Sequence, residues 1–490
     1  MSATPTREDA RRALPDGRMF IDGQWVDGEE RTHVDPSTGE DLGSFHVADE
    51  KLVDAAVAAA RRTQTEGALR VPSARRDLLA GIAAGIEAAA DELAGLASLE
   101  MGQPFRAARA GTLHAAEWFR YYAGWADKIE GAVVPAAPGT VLDYVVPSPY
   151  GVVAAIIPWN GPVISLALKV APAIAAGNAV VLKPPEQAPF SSLRFAQVCV
   201  DAGMPPGALN VVPGGATAGA ALCGHPDVDL ITFTGGDVTA RAVAIAAAEH
   251  HTPVVLELGG KSASVVFEDA DPAVAGKLAA VLGVAQNSGQ GCFLPTRLLV
   301  QRSIYDAVVE AVVATTKGFR LGDPFDPATT MGPVAGEATC ARILGVIDRA
   351  AADGEGILLA GGRRALGDLA QGWYIEPTVF GGVDPTTKLA QHEIFGPVLA
   401  IIPFDDEDEA VRIANDVRYG LAGYVWTNDL RRAHRVADAL DAGYVSINSM
   451  ASLPPSAPFG GWKGSGHGVE GGRWGLHEFL RLKNVHVSLR

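Results

Sequence analysis

One cysteine stands apart from the other three. Cys292 follows the run Gln286-Asn287-Ser288-Gly289-Gln290-Gly291, a polar, glycine-bearing setting unlike the apolar surroundings of an inert packed thiol. Gly289 and Gly291 mark backbone that turns tightly or lets another molecule come close. Upstream, Glu257 closes the apolar run Pro253-Val254-Val255-Leu256 and is followed by Leu258, Gly259, Gly260 and Lys261. A thiol and a carboxylate in such settings suit a nucleophile and its general base. Three further stretches end apolar runs with polar groups. Ile157-Pro158-Trp159-Asn160 offers an amide donor for an oxyanion, or simply a strand-end turn. Lys183-Pro184-Pro185-Glu186 offers a cation and an anion suited to ribose hydroxyls, or a solvated turn pair. Phe233-Thr234-Gly235-Gly236-Asp237 offers backbone N–H groups to a pyrophosphate, or ordinary helix capping by Asp237.

The elements that must carry these groups read as α/β. Residues 151–157, 179–182, 209–212, 230–233 and 254–258 are continuous apolar strands, and helical runs such as 162–176 and 191–202 separate them. Such strands, buried on both faces, predict a parallel sheet with helices on either side. The alternation restarts after Gly259, with strands at 264–267, 297–300, 378–380 and 399–402 and helices at 304–315 and 338–351. Before the first sheet, Phe20-Ile21-Asp22-Gly23-Gln24-Trp25-Val26 signals a hairpin, and residues 50–126 carry helical spacing. Residues 131–149 read as an exposed or swapped β segment interrupting the first α/β unit. The tail 479–489 reads as a last strand, expected to pair with residues 131–149 of a neighbouring copy.

Composition narrows the class. The chain has 490 residues, enough for two or three domains, and its 48% hydrophobic content excludes disorder. A formal net charge of -16 argues against nucleic acid and anionic membrane surfaces as partners. Four cysteines without a C-x-x-C pair fit free thiols in a reducing cytoplasm. The first residues have no apolar core, so no signal peptide is expected. No zinc spacing appears, so no metal is expected, and no G-x-S-x-G elbow appears. Two phosphate-loop patterns are set aside. Gly260-Lys261-Ser262 lacks the first glycine of a P-loop, because Val255 stands there. Gly466-His467-Gly468-Val469-Glu470-Gly471 follows a proline-rich run instead of a strand.

Six stretches in order resemble the NAD(P)-dependent aldehyde dehydrogenase superfamily nearly end to end. They are Pro158-Trp159-Asn160, Lys183-Pro184-Pro185-Glu186, Glu257-Leu258-Gly259-Gly260-Lys261-Ser262, Gly289-Gln290-Gly291-Cys292, Glu393-Ile394-Phe395-Gly396-Pro397-Val398 and Pro458-Phe459-Gly460-Gly461. The resemblance implies two doubly wound parallel-sheet domains and a small β oligomerisation arm. Residues 1–127 and 150–258 would form a Rossmann-like NAD-binding domain, 259–455 a catalytic domain, and 128–149 with 476–490 the arm, while 456–475 returns to the cofactor domain. It implies Cys292 as nucleophile, Glu257 as general base and Asn160 as oxyanion donor, with Lys169 and Glu470 supporting proton relay. Cofactor contacts fall on Ile157, Pro158, Trp159, Lys183, Pro185, Glu186, Gly215, Phe233, Thr234, Gly235, Gly236, Leu258, Gly259, Glu393 and Phe395. Substrate contacts fall on Gly161, Leu168, Trp118, Phe293 and the loop 450–456, mostly apolar, which suggests a medium apolar or aromatic aldehyde.

The implied activity is oxidation of an aldehyde to its acid with NAD, through a cysteine thiohemiacetal and thioester, by a cytoplasmic homo-oligomer, dimer or tetramer. Glu186 points to NAD over NADP. Two alternatives stay open: a CoA-acylating relative, which the carboxylate of Glu257 disfavours, and a catalytically silent protein on the same scaffold. The chain also departs from the family pattern. Gly236 stands where a serine is usual, Ala240 where a second glycine is usual, and Phe479 where a tyrosine is common. Glu257 and Cys292 are 292 − 257 = 35 residues apart, one more than in many relatives, and the extra residue is expected between Asp271 and Asn287.

Overall fold

The computed structural model describes residues 5–136, 139–449 and 452–489. Two large sheets dominate, and both obey the alternation read from the sequence. In the first, the strands Leu209–Val211, Ala179–Lys183, Val152–Ile156, Leu230–Thr234 and Val254–Glu257 lie side by side, all parallel. Antiparallel strands close both edges: the Met19–Ile21/Gln24–Val26 hairpin on one side and Gly466–His467 on the other. The hairpin turns on Asp22 and Gly23, both at positive φ (53° and 78°), as an Asp-Gly pair allows.

Successive strand residues face two different cores, which is why these strands are apolar throughout. Val153, Ala155, Val180 and Leu182 pack under one set of helices; Val152, Ala154, Ile156, Ala179 and Val181 pack under the other. The chain order reverses at Val152–Ile156, with later strands added on both sides of it. The crevice beyond its carboxyl end is where ligands bind in such sheets.

The second sheet runs Ile357–Ala360, Thr378–Gly381, Val398–Phe404, Arg297–Gln301, Ala263–Val266, Ala422–Trp426 and Tyr444–Ile447, parallel except for the first. Val265, Leu299 and Ile402 face one core and Val266, Leu298 and Ile401 the other. Only residues 258–262 connect Val254–Glu257 to Ala263–Val266, so the first sheet's carboxyl edge faces the second sheet's amino edge.

The tail strand Leu480–Ser488 pairs with Val141–Pro149 of its own chain, antiparallel from Leu480↔Pro149 to Ser488↔Val141. This corrects the expectation that it pairs with a neighbouring copy: the two segments already meet within one subunit. Ala132–Val134 completes this three-stranded sheet and leaves Val133 74% exposed. An unforeseen hairpin, Glu29–Val34 with Asp41–Val47, hides in the sequence because most of its first strand is polar and exposed. No helix among the described residues is long and apolar enough to cross a membrane.

Candidate active site

A cavity of about 320 Å³ opens where the two sheets face each other. Its wall includes Asn160, Glu257, Cys292 and Glu470 together. Val254–Glu257 delivers Glu257 as its last residue. Asn160 lies in the turn between Val152–Ile156 and the helix Pro162–Ala176.

The cysteine loop is built differently. The helix Pro272–Ala280 continues into a π-helical turn, Val281–Ala285, which takes one more residue per hydrogen-bonded turn than an α-helix. This turn lies inside the stretch where the extra residue was expected. Asn287, Ser288 and Gly289 then all adopt left-handed backbone (φ 50°, 52° and 72°). Two of these are not glycine, so the loop must be held by its contacts. Ser288 Oγ donates to the Gly332 carbonyl (2.8 Å), Asn287 Nδ2 to the Asn160 and Gln290 carbonyls (2.7 and 2.9 Å), and Gln290 Nε2 to the Asn287 carbonyl (3.0 Å). A side chain at 289 is excluded because a Cβ there would stand 2.1 Å from the Gly396 carbonyl oxygen.

Asn160 Nδ2 donates to the Gln290 carbonyl (3.0 Å). That bond fixes the amide beside the cysteine loop and uses one of its two N–H groups. Cys292 is partly exposed to the cavity. Burial of its sulfur, then the nearby Glu393 and Glu257 carboxylates, push the thiol up to about 12. Glu257 is 2% exposed. Neither of its oxygens has a well-formed hydrogen bond, and burial, followed by repulsion from Glu470, holds its pKa well above the usual carboxylate range. Glu470, by contrast, is paired. Lys169 Nζ, 1% exposed, donates to Glu470 Oε1 (2.8 Å) and to Thr232 Oγ1 (3.0 Å).

Around the crevice, Lys183 ends its strand with Nζ bonded to the Gly214 carbonyl, and burial lowers its pKa to about 8. Glu186 leans over Gly215, where a Cβ would stand 3.0 Å from Glu186 Oε1. Gly215 and Gly236 start the helices Ala216–Cys223 and Asp237–Ala248 without any side-chain cap, so first-turn N–H groups stay unclaimed by side chains. Gly236 has no atom within 4 Å of an added Cβ, whereas the Phe233 ring covers Gly235 (2.5 Å from its Cβ position). Asp237 is not the cap; it pairs with Arg418 from the other side of the cleft (2.7 Å). Glu393 Oε1 accepts from Gly260 N (3.0 Å), and a Cβ on Gly259 would collide with its carboxylate. Burial lifts Glu393 to about 7. The rings of Trp159 and Phe395 meet edge to face at 5.3 Å. Ile157 and Leu258 are buried, and Pro158 and Thr234 line the cavity.

Gly161, Leu168 and Phe293 line the cavity, but Trp118 does not. It is 1% exposed and its indole nitrogen lies 3.2 Å from His114 Nε2; His114, one turn earlier, takes the place at the wall. Leu453 lines the mouth, held by its carbonyl 2.8 Å from His114 Nε2, while Met450 and Ala451 lie outside the described residues. Sequence reasoning assigned no role to His114, Thr232, Gln290 or Phe459, although Gln290 and Phe459 stand inside stretches quoted above and His114 lies one helical turn before Trp118. Both set-aside glycine patterns have structural uses. Gly466 sits where a Cβ would be 1.9 Å from the Leu256 carbonyl, and Lys261 is buried with no hydrogen-bond partner for Nζ among the described residues.

Residues 25–485 match the aldehyde dehydrogenase family. An aldehyde dehydrogenase of Enchytraeus buchholzi is 42% identical over 479 residues, covering 96% of this chain and 95% of its own. Among solved structures, betaine aldehyde dehydrogenase from Staphylococcus aureus in complex with NAD+ superposes with a TM-score of 0.97 at 34% identity, over 99% of this chain and 98% of that one. The aldehyde dehydrogenase KauB from Pseudomonas aeruginosa does so with 0.95 at 39% identity, over 99% and 100%. With a cysteine loop, an amide and a buried carboxylate on one cavity, and with matches of this extent, the chain belongs to the aldehyde dehydrogenase family.

Proposed function

We propose that this protein oxidises an aldehyde to the carboxylic acid with NAD, by covalent catalysis at Cys292. The observation that carries the reading is the meeting of Cys292, the Asn160 amide and the unpaired Glu257 carboxylate on one cavity. Cys292 Sγ gives its proton to Glu257 and attacks the aldehyde carbon; the C–S bond forms as the carbonyl π pair moves onto oxygen. The remaining Asn160 N–H and the Cys292 backbone N–H hold that oxyanion. NAD, when bound, supplies the acceptor for the hydride that leaves the carbon. Glu257 passes that first proton on and, as the carboxylate again, takes a proton from water; the water oxygen attacks the thioester carbon, and the Cys292 thiolate leaves with the acid released. Lys169 Nζ donates to Glu470 beside this path, a route by which the Glu257 proton can exit.

The cofactor contacts follow from the crevice. The uncapped helix starts at Gly215 and Gly236 suit an anionic pyrophosphate. Lys183 and Glu186 suit the adenosine ribose, with Pro185 beside them, and the Glu186 carboxylate disfavours a 2′-phosphate. Glu393, Phe395 and Trp159 suit the nicotinamide end, and Ile157, Pro158, Phe233, Thr234, Gly235, Leu258 and Gly259 line the way between. Val163, Ile164, Leu168, Phe293 and Phe459 make the substrate wall apolar, and among the described residues no Lys or Arg lines the cavity. A neutral apolar or aromatic aldehyde of medium size fits that wall. Unpaired sheet edges at Ala132–Val134 and Leu480–Ser488, with Val133 74% and Leu482 72% exposed, support a homo-oligomer, dimer or tetramer. Four free thiols support a reducing, cytoplasmic setting. Mixing with NAD and a panel of neutral and carboxylate-bearing aldehydes tests the reading. NADH and acid in equal amounts, with neutral aldehydes preferred, are expected; no NADH from any aldehyde despite NAD binding would overturn it.

A further inference from the structure

Asp237 opens the helix Asp237–Ala248 immediately after the uncapped Gly236, at the helix end assigned above to the cofactor's pyrophosphate. A carboxylate favours the helix dipole there but repels an anionic ligand. The chain answers from the second sheet. Arg418 NH2 donates to Asp237 Oδ2 (2.7 Å) and to the Tyr419 hydroxyl (3.1 Å), and its guanidinium lies 4.8 Å from the centre of the Tyr419 ring. Tyr419 is 7% exposed and stands beside Glu393. The Arg418 carbonyl accepts from Gly464 N (2.8 Å), in the segment that returns to the first sheet. One guanidinium thus bridges the start of the pyrophosphate helix and Tyr419 on the second sheet's side of the cleft. The other charges facing this region are Glu393 itself, Lys261 and Arg342 beside it, and Asp237, whose field reaches Glu393 across the cleft.

We infer that Arg418 is a positioning residue for the cofactor, neutralising Asp237 at the pyrophosphate end. The inference rests on the proposed NAD site. It makes a prediction of sign: removing Arg418 harms NAD binding chiefly because Asp237 remains, so removing both restores it.

The test is titration of NAD into the full-length wild type, Arg418→Ala, Arg418→Lys, Asp237→Ala and the double variant, with kcat and KM for NAD measured in parallel. Both side chains are partly solvent-exposed (51% and 33%), so melting temperatures should move little and serve as the folding control. Arg418→Ala should weaken NAD by roughly tenfold, the scale of one unpaired like charge in a partly solvated cleft. KM for NAD should follow, with kcat falling less. Arg418→Lys should lose no more than about threefold, and the double variant should return to within about threefold of wild type. A double variant as weak as Arg418→Ala, or Arg418→Ala binding as tightly as wild type, would overturn the inference. A wild type that does not bind NAD would instead overturn the proposed function.

Discussion

The first sheet meets the cleft with the carboxyl ends of its strands: Asn160, Lys183, Thr234 and Glu257 each close or follow one. The second sheet meets it with the opposite edge. Gly260 precedes Ala263–Val266, Cys292 precedes Arg297–Gln301, Glu393 and Phe395 precede Val398–Phe404, and Arg418 precedes Ala422–Trp426. Groups on strand ends inherit their position from the ladder of backbone hydrogen bonds. Groups on loops that lead into strands do not, and the backbone compensates with strained turns: Asn287, Ser288 and Phe395 all have positive φ without being glycine. Two sheets of one design therefore hold their site residues by different physics. Substitutions on each side should fail in different ways.

The largest effect should come from Cys292→Ala on the loop side. Aldehyde oxidation should fall by several orders of magnitude, because no other atom there forms the covalent bond. NAD binding and the melting temperature should hold; turnover above a few per cent of wild type would contradict the assignment.

On the strand side, Glu257→Gln should split the reaction. If the carboxylate is needed at both steps, the NADH burst slows and steady turnover falls further, with acylated Cys292 accumulating in mass spectra. The pH dependence has a definite sign. Thiol and carboxylate both have raised pKa values and both act deprotonated, so wild-type activity should climb toward alkaline pH. In the variant the burst alone should recover as pH rises and the thiolate forms unaided. Wild-type activity flat from pH 6 to 9 would count against this pairing.

Gly289→Ala probes the strained turn itself. Its Cβ would lie 2.1 Å from the Gly396 carbonyl oxygen, at φ 72°. We expect a loss of about 2–4 kcal/mol in stability. A misplaced nucleophile should also lower kcat by roughly a hundredfold. Calorimetry and burst kinetics would show both; Glu186→Ala on the strand side should leave stability nearly unchanged. The smallest effect should be a gain. Gly236→Ser enters open space at φ −78°, can cap the helix, and places a hydroxyl at the pyrophosphate end. It should add a few tenths of a kcal/mol to stability and tighten NAD by about twofold to fivefold in titration.

The same contrast governs what the sequence could reveal. Strand-end groups were legible because continuous Val/Ile runs locate strands and polar residues mark where they stop. Glu257, Lys183 and Thr234 were found this way. The cysteine loop was legible only in part: glycines 289 and 291 announced a tight turn, but nothing announced left-handed Asn287 and Ser288, whose conformation depends on Gly332 and Asn160 far along the chain. Asp237 shows the limit most directly. Locally it reads as a helix cap, and only a partner 181 residues later explains it. Trp118 was expected at the cavity wall from the family resemblance, which points to the helix Phe105–Ala123 but not to which of its residues reaches the cavity.

The short crossing at Gly259 and Gly260 has a mechanical consequence. It leaves Glu257 at once and runs against the cysteine loop, since a Cβ on Gly260 would stand 2.3 Å from the Cys292 carbonyl oxygen. Glu257 and Cys292 thus flank one of two short crossings between the sheets, the other being residues 464–465, between Trp462–Lys463 and Gly466–His467. With the two crossings paired at Glu257↔Gly466, the carboxylate is anchored by backbone from both directions at the place where the sheets join.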